Sequence, residues 1–112
     1  MATRYSWTTG PVSSSEGLDN VRVEVLNNTS YTRSVDVRLY NLSFTPKRRL
    51  VSESFSMAPY STTTVDIPLE GVERWEVQAS AFSRSVRVWV AGRNGRQNLV
   101  GNTVLNSELM PF

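Results

Sequence analysis

Ser43 and Lys47 are the nearest this sequence comes to a nucleophile with a base, since lysine can activate a serine hydroxyl. Their spacing fits no catalytic motif and reads as a turn serine beside a solvated lysine. The ten acidic residues are spread along the chain and mostly alternate with apolar positions, so they read as charges on the wet faces of strands and not as a glycosidase carboxylate pair. Glu16, Asp19 and Asn20 offer oxygen ligands of the kind calcium takes, without the spacing of a calcium loop; a turn and a strand start are expected there. The sequence holds no histidine and no cysteine, which removes the commonest general base, the commonest metal ligands and any disulfide framework. The glycines around residues 92–95 open no helix and form no phosphate cradle. No catalytic residue, cofactor or metal site is therefore assigned.

Binding chemistry is better represented. Eleven of the twelve basic residues are arginine, with Lys47 the exception, and arginine's planar donor fork suits protein interfaces and phosphates alike. Lys47-Arg48-Arg49 is a basic triplet; Arg84, Arg87, Arg93 and Arg96 form a run without an acid, and Trp89 sits within it. Basic residues interleaved with an aromatic bind single-stranded nucleic acid. The formal charge of only +2 and the absence of any module signature disfavour that partner. A carbohydrate or a protein fits better. Tyr40 and Trp89 fall opposite rows of valine, on presumptive wet faces, and with Arg87 they are the candidate ligand or partner contacts. The sequons at Asn27 and Asn41 read as turn chemistry.

These side chains must be positioned by strands. Val21, Val23 and Val25 alternate with Arg22 and Glu24; Val35, Val37 and Leu39 with Asp36, Arg38 and Tyr40; Trp75, Val77, Ala79 and Ala81 with Glu76, Gln78 and Ser80; Val86, Val88 and Val90 with Arg87 and Trp89. A period of two marks half-buried strands. Turn residues separate the runs, and Arg93-Asn94-Gly95-Arg96 is the clearest hairpin signal. Strands are expected at about 3–9, 20–27, 34–42, 48–56, 61–67, 74–82, 84–92 and 97–105. This makes an all-β antiparallel sandwich of about eight strands, jelly-roll or immunoglobulin-like. At 112 residues the chain is one domain, able to bury an ordinary core without staples. No apolar run has the length of a membrane span, and no basic region followed by an apolar stretch marks a secretory signal.

The first 17 residues read separately from the body at 18–112. Tyr5 and Trp7 share one face of a short strand, and Gly10 to Gly17, rich in serine and glycine, reads as a flexible hinge. Such a strand either folds back on its own sheet or complements the open edge of a neighbouring copy. Repeated, the second arrangement gives a filament, with the chain itself as partner. Tyr5 and Trp7 would anchor the donated strand, and the tail residues Leu109, Met110 and Phe112 call for a pocket at the same subunit interface.

In layout, with a short connector from Thr3 to Ser15 and a strand-rich body from Asn20 to Leu105, the chain resembles the small β-sandwich subunits of bacterial endospore appendages and related extracellular fibres. The resemblance implies a self-assembling structural subunit without catalysis, at an extracellular, cell-surface or spore-surface location, with the cytoplasm as the alternative. Those subunits cross-link through connector cysteines; this chain has none, so strand pairing and packing would have to serve instead. The stretch VRVWVAGRNGRQNLVGNTV, residues 86–104, looks like a signature of uncharacterised bacterial proteins.

Overall fold

The computed structural model describes residues 4–112, apart from the Val100 side chain. Ten strands follow one another among these residues: β1 (Tyr5–Thr8), β2 (Val12–Ser13), β3 (Asn20–Asn27), β4 (Arg33–Asn41), β5 (Arg48–Met57), β6 (Thr62–Pro68), β7 (Arg74–Ala81), β8 (Val86–Asn94), β9 (Gln97–Val104) and β10 (Met110–Pro111), with a single 3-10 turn at Asn106–Glu108. They form two antiparallel sheets. One has the order β10-β1-β7-β4-β5, with β2 also on β7; the other has the order β6-β3-β8-β9. The chain crosses between sheets at β2–β3, β3–β4, β5–β6, β6–β7, β7–β8 and β9–β10, so β3 pairs with β6 in one layer while β4 pairs with β7 in the other. A least dimension of 22 Å is that of two sheets packed face to face.

The valine rows meet between the layers. Val21, Val23 and Val25 of β3 and Val86, Val88 and Val90 of β8 are buried, as are Val35, Val37 and Leu39 of β4 and Trp75 and Val77 of β7. Each fully buried valine or leucine stabilises by about 1.5–3 kcal/mol before chain entropy is counted. The charged alternates face away from this core because an unpaired buried charge costs more than any of these gains, and the one that is covered, Glu76, is paired with Lys47.

The strand count exceeds the expected eight because two short strands escape a reading by alternation. β2 has two residues and β10 contains a proline, so neither presents a period. The Asn-Gly hairpin also differs by one residue. Asn94 still pairs with Gln97, and the two turn residues are Gly95 and Arg96. Only Gly95 takes a positive φ, at 58°. It is held by Asp19, whose carboxylate oxygens accept the Gly95 N–H at 3.1 and 3.0 Å.

The lead segment pairs along the sheet of its own chain, the first of the two arrangements expected for it. β1 and β2 together run antiparallel along β7: Tyr5 lies opposite Ala81, Trp7 opposite Ala79, and Val12 opposite Trp75. Between them the chain kinks at Gly10, with φ 66°, while the Thr9 N–H still reaches the Val77 carbonyl at 3.0 Å. The rest of the segment is tied down as well. Ser14 N–H donates to the Glu73 carbonyl at 2.8 Å, and the buried Asn102 accepts the Ser15 N–H at 2.8 Å and donates to the Ser13 carbonyl at 2.6 Å. On its other edge β1 pairs with β10 through Trp7–Pro111 and Thr8–Met110. The serine-rich stretch that suggests a linker is held in these ties through its backbone groups, and the Ser14 hydroxyl adds another by donating to the Val72 carbonyl at 2.6 Å. Thr3, the expected start of the strand, lies outside the described residues.

Candidate functional site

A concavity opens on the outer face of the four-stranded sheet. Period-two alternation aims Arg22, Glu24 and Leu26 of β3 outward, since Val21, Val23 and Val25 face the core. Registration with the neighbours then builds rows across the sheet. Thr64, Glu24 and Trp89 make one row; Thr62, Leu26 and Arg87 make the next. Asn106, from the 3-10 turn after β9, closes one side. Its Oδ1 accepts the Val88 N–H at 2.8 Å, which holds the turn against β8 and leaves its amide NH2 group unspent among the described residues. The groove has a volume of about 260 Å³ and is lined by Glu24, Val25, Leu26, Thr62, Thr64, Arg87, Val88, Trp89 and Asn106.

Its electrostatics are balanced. One carboxylate and one guanidinium flank the half-buried indole of Trp89, and among the described residues neither Glu24 nor Arg87 enters an ion pair. The next row along the sheet is committed: Arg22 donates to Asp66 from Nε at 2.8 Å and from Nη2 at 3.1 Å. That bidentate hydrogen bond holds the Asp66 carboxyl below its usual range. Being exposed to water, the pair contributes little to stability.

The residues singled out from the sequence separate into distinct places. Trp89 and Arg87 come together in this groove. Tyr40 does not join them, because β4 belongs to the other sheet. There its ring lies beneath the Lys47 ammonium, 4.6 Å from the centroid. Lys47 is bound to Glu76 at 2.6 Å, and no contact joins it to Ser43 among the described residues. Instead the Ser43 N–H donates to the Asn41 side chain at 2.9 Å, a local turn. Arg84, Arg87, Arg93 and Arg96 make no common patch: β8 separates Arg84 from Arg96 by its whole length, and Arg93 is buried, donating to the Arg96 carbonyl. Of Glu16, Asp19 and Asn20, Asp19 is spent on the Gly95 turn, and no group of three potential metal ligands occurs among the described residues.

The presumed interface residues surround β1. Trp7 and Leu109 pack against the core. Tyr5 is half-buried with Arg84 over its ring at 5.2 Å. Met110 and Phe112 remain 52% and 64% exposed, although the Phe112 N–H is anchored on the Ser6 carbonyl at 3.1 Å. Leu109 alone of the tail finds the expected pocket, and it finds it in its own chain.

Glu24, Thr62, Thr64 and Asn106 were not singled out from the sequence. Parity on β3 marks Glu24 as outward, but nothing in a single strand says that β6 and β8 are its neighbours. The described residues include no helix long and apolar enough to cross a membrane. Comparison with family models, with curated proteins and with solved structures gives no match to this chain.

Proposed function

We propose that the chain is a β-sandwich binding module that takes a neutral carbohydrate residue in the Trp89 groove. One observation carries the reading: strand pairing gathers an indole, a carboxylate, a guanidinium, two threonine hydroxyls and an amide into one concavity. A sugar ring offers an apolar C–H face, which stacks on an aromatic, and a rim of hydroxyls, which both donate and accept. Glu24 supplies acceptors, Arg87 and Asn106 donors, and Thr62 and Thr64 both. The opposite charges of Glu24 and Arg87 favour an uncharged polyol over an anion or a cation. At about 260 Å³, the groove is smaller than the roughly 300–1,000 Å³ of sites that enclose drug-sized ligands. That suits a single ring of a longer glycan lying open along the sheet. Retention on an array of neutral oligosaccharides tests the reading. The wild type and Tyr40→Ala are expected to be retained and Trp89→Ala is not; equal retention of Trp89→Ala rejects it.

A different observation favours a second reading, a structural subunit that assembles into an extracellular filament by strand complementation. β1 has only four residues, fills a slot between β7 and β10, and enters the body through Gly10. The same slot accepts β1 of another copy, with Tyr5 and Trp7 opposite Ala81 and Ala79 and the Leu109–Phe112 tail alongside. Each copy then gives one strand and takes one. Electron micrographs of the concentrated protein test this directly. Filaments that vanish when residues 1–9 are removed are the expected result; monomeric particles at every concentration reject it.

A further inference from the structure

Three loops meet at one end of the sandwich: residues 28–32 between β3 and β4, 58–61 between β5 and β6, and 82–85 between β7 and β8. Hydrogen bonds join them side by side. Asn28 N–H donates to the Ser85 carbonyl at 3.1 Å, Tyr60 N–H to the Thr29 carbonyl at 3.2 Å, and Asn27 N–H to the Ser61 carbonyl at 2.9 Å. Beneath them the fully buried Asn27 braces two of the loops. Its Nδ2 donates to the carbonyls of Tyr31, Met57 and Ala58 at 2.8, 3.1 and 3.1 Å, and its Oδ1 accepts from the Thr29 N–H and hydroxyl. The platform is thus organised in advance of any partner.

Its outward groups are largely exposed, and their contacts inside the chain are mainly arginine on aromatic rings, with Arg4 over Phe82 at 5.9 Å and Arg33 Nε donating to the Thr29 hydroxyl at 3.4 Å. Tyr31 and Tyr60 are each 67% exposed. Tyr60 holds a positive φ of 54°, a conformation that costs a bulky residue on the order of 1–3 kcal/mol. Its side chain stays largely in water at that cost. Phe82 and Phe112 stand exposed at the same end, beside the start of β1. Arg33 lies over the Tyr31 ring at 5.3 Å and Arg84 over Tyr5 at 5.2 Å; neither has an ion-pair partner among the described residues. The three loops contain no acidic residue. Of the acids on adjoining elements, Asp36 is committed to Arg4 and Ser54, Asp66 to Arg22, Glu76 to Lys47, and Glu108 accepts the Leu105 N–H, while Glu24 and Glu53 lie within strands and outside the loops.

We infer that this three-loop end is a docking surface for an anionic phospholipid membrane. Exposed loop tips give a small rigid ligand no enclosure, whereas a fluid headgroup layer moulds to them. Tyrosine and phenylalanine rings settle at the headgroup level, and guanidinium forks bind lipid phosphates and carboxylates. Arginine stacked on tyrosine is ordered in advance, so less entropy is lost when its fork engages a phosphate.

The test is co-sedimentation of the full chain with vesicles of phosphatidylcholine, with and without phosphatidylserine. Binding is expected only to the phosphatidylserine vesicles and weakens as salt is added. The double variant Arg33→Glu/Arg84→Glu is expected to lose about tenfold or more in partitioning. Tyr31→Ala/Tyr60→Gly, in which glycine accepts the φ of position 60, is expected to weaken binding without lowering the melting temperature. Trp89→Ala is expected to bind vesicles normally, which separates this surface from the groove. No binding, equal binding to both vesicle types, or binding unchanged in the arginine variant overturns the inference. So does capture of a protein or a glycan by these loops without any vesicle binding.

Discussion

Trp7 lies directly opposite Ala79 across the β1–β7 ladder, and Tyr5 opposite Ala81. The two largest side chains of β1 therefore meet the two smallest inward positions of β7, and Trp7 packs against the core. This pairing makes β1 an integral strand of the sheet, between β10 and β7. Truncation in Trp7→Ala is expected to cost about 3 kcal/mol, read as a fall in the urea midpoint at unchanged slope. An unchanged midpoint would mean that β1 contributes nothing to its own domain.

Glu76, on the outer face of the same sheet and only 8% exposed, holds β1 and the 42–47 loop together. It accepts from the Thr8 hydroxyl at 2.5 Å and from Lys47 at 2.6 Å. Burial pushes its carboxyl up, but hydrogen bonds from Lys47, Thr8 and Gln78 outweigh burial and hold it below the usual glutamate range. A carboxyl depressed in the folded state contributes stability that is complete above its ordinary value and lost as the pH falls through its folded value. Melting temperatures are therefore expected to drop with acidification below the ordinary glutamate range, and more shallowly in Glu76→Gln. Identical profiles for the two proteins would contradict this role.

Asn27 and Asn28 are adjacent asparagines with opposite fates. Asn27 shares its two amide N–H groups among three carbonyls from inside the protein, and Asn28 is exposed. Asn27→Ala is expected to cost on the order of 3 kcal/mol, through stranded carbonyls. Asn28→Ala should stay within about 0.5 kcal/mol. Chemical denaturation of the two variants compares them directly.

Gly92 is required by space and not by dihedral angle. A Cβ there would lie 2.6 Å from Leu18 Cδ1 and 2.8 Å from Asn102 Cβ. Asn102 in turn holds Ser13 and Ser15. Gly92→Ala is expected to destabilise by about 1–3 kcal/mol and to speed hydrogen exchange at the Ser15 amide. Wild-type exchange at Ser15 would show that the clash relaxes elsewhere.

How much of this was legible in the sequence follows from what alternation encodes. The rows Val21-Val23-Val25 and Val86-Val88-Val90 mark both the strands and their buried faces, and so place Arg87 and Trp89 outside. Alternation does not encode which strands are neighbours. Glu24 and Thr64 join Trp89 only because β3 lies between β6 and β8. For the same reason Tyr40 looked equivalent to Trp89 and lies on the other sheet. Tyr5 and Trp7 were readable as inward residues of a strand, but the slot that receives them is set by two alanines some seventy residues away. Irregularities were invisible too. At the β4–β5 bulge the register slips after Leu39, and Leu50 is left without a partner on β4.

The central claim is most directly tested by titrating the 15N-labelled protein with neutral oligosaccharides retained on the array and following its three tryptophan indole N–H resonances. The account predicts that the Trp89 resonance shifts with a saturable dependence on sugar while that of the buried Trp75 stays in place, and that Trp89→Ala abolishes binding in a protein that still melts cooperatively. A Trp89 resonance that does not move at saturating sugar, or undiminished affinity in Trp89→Ala, would contradict it.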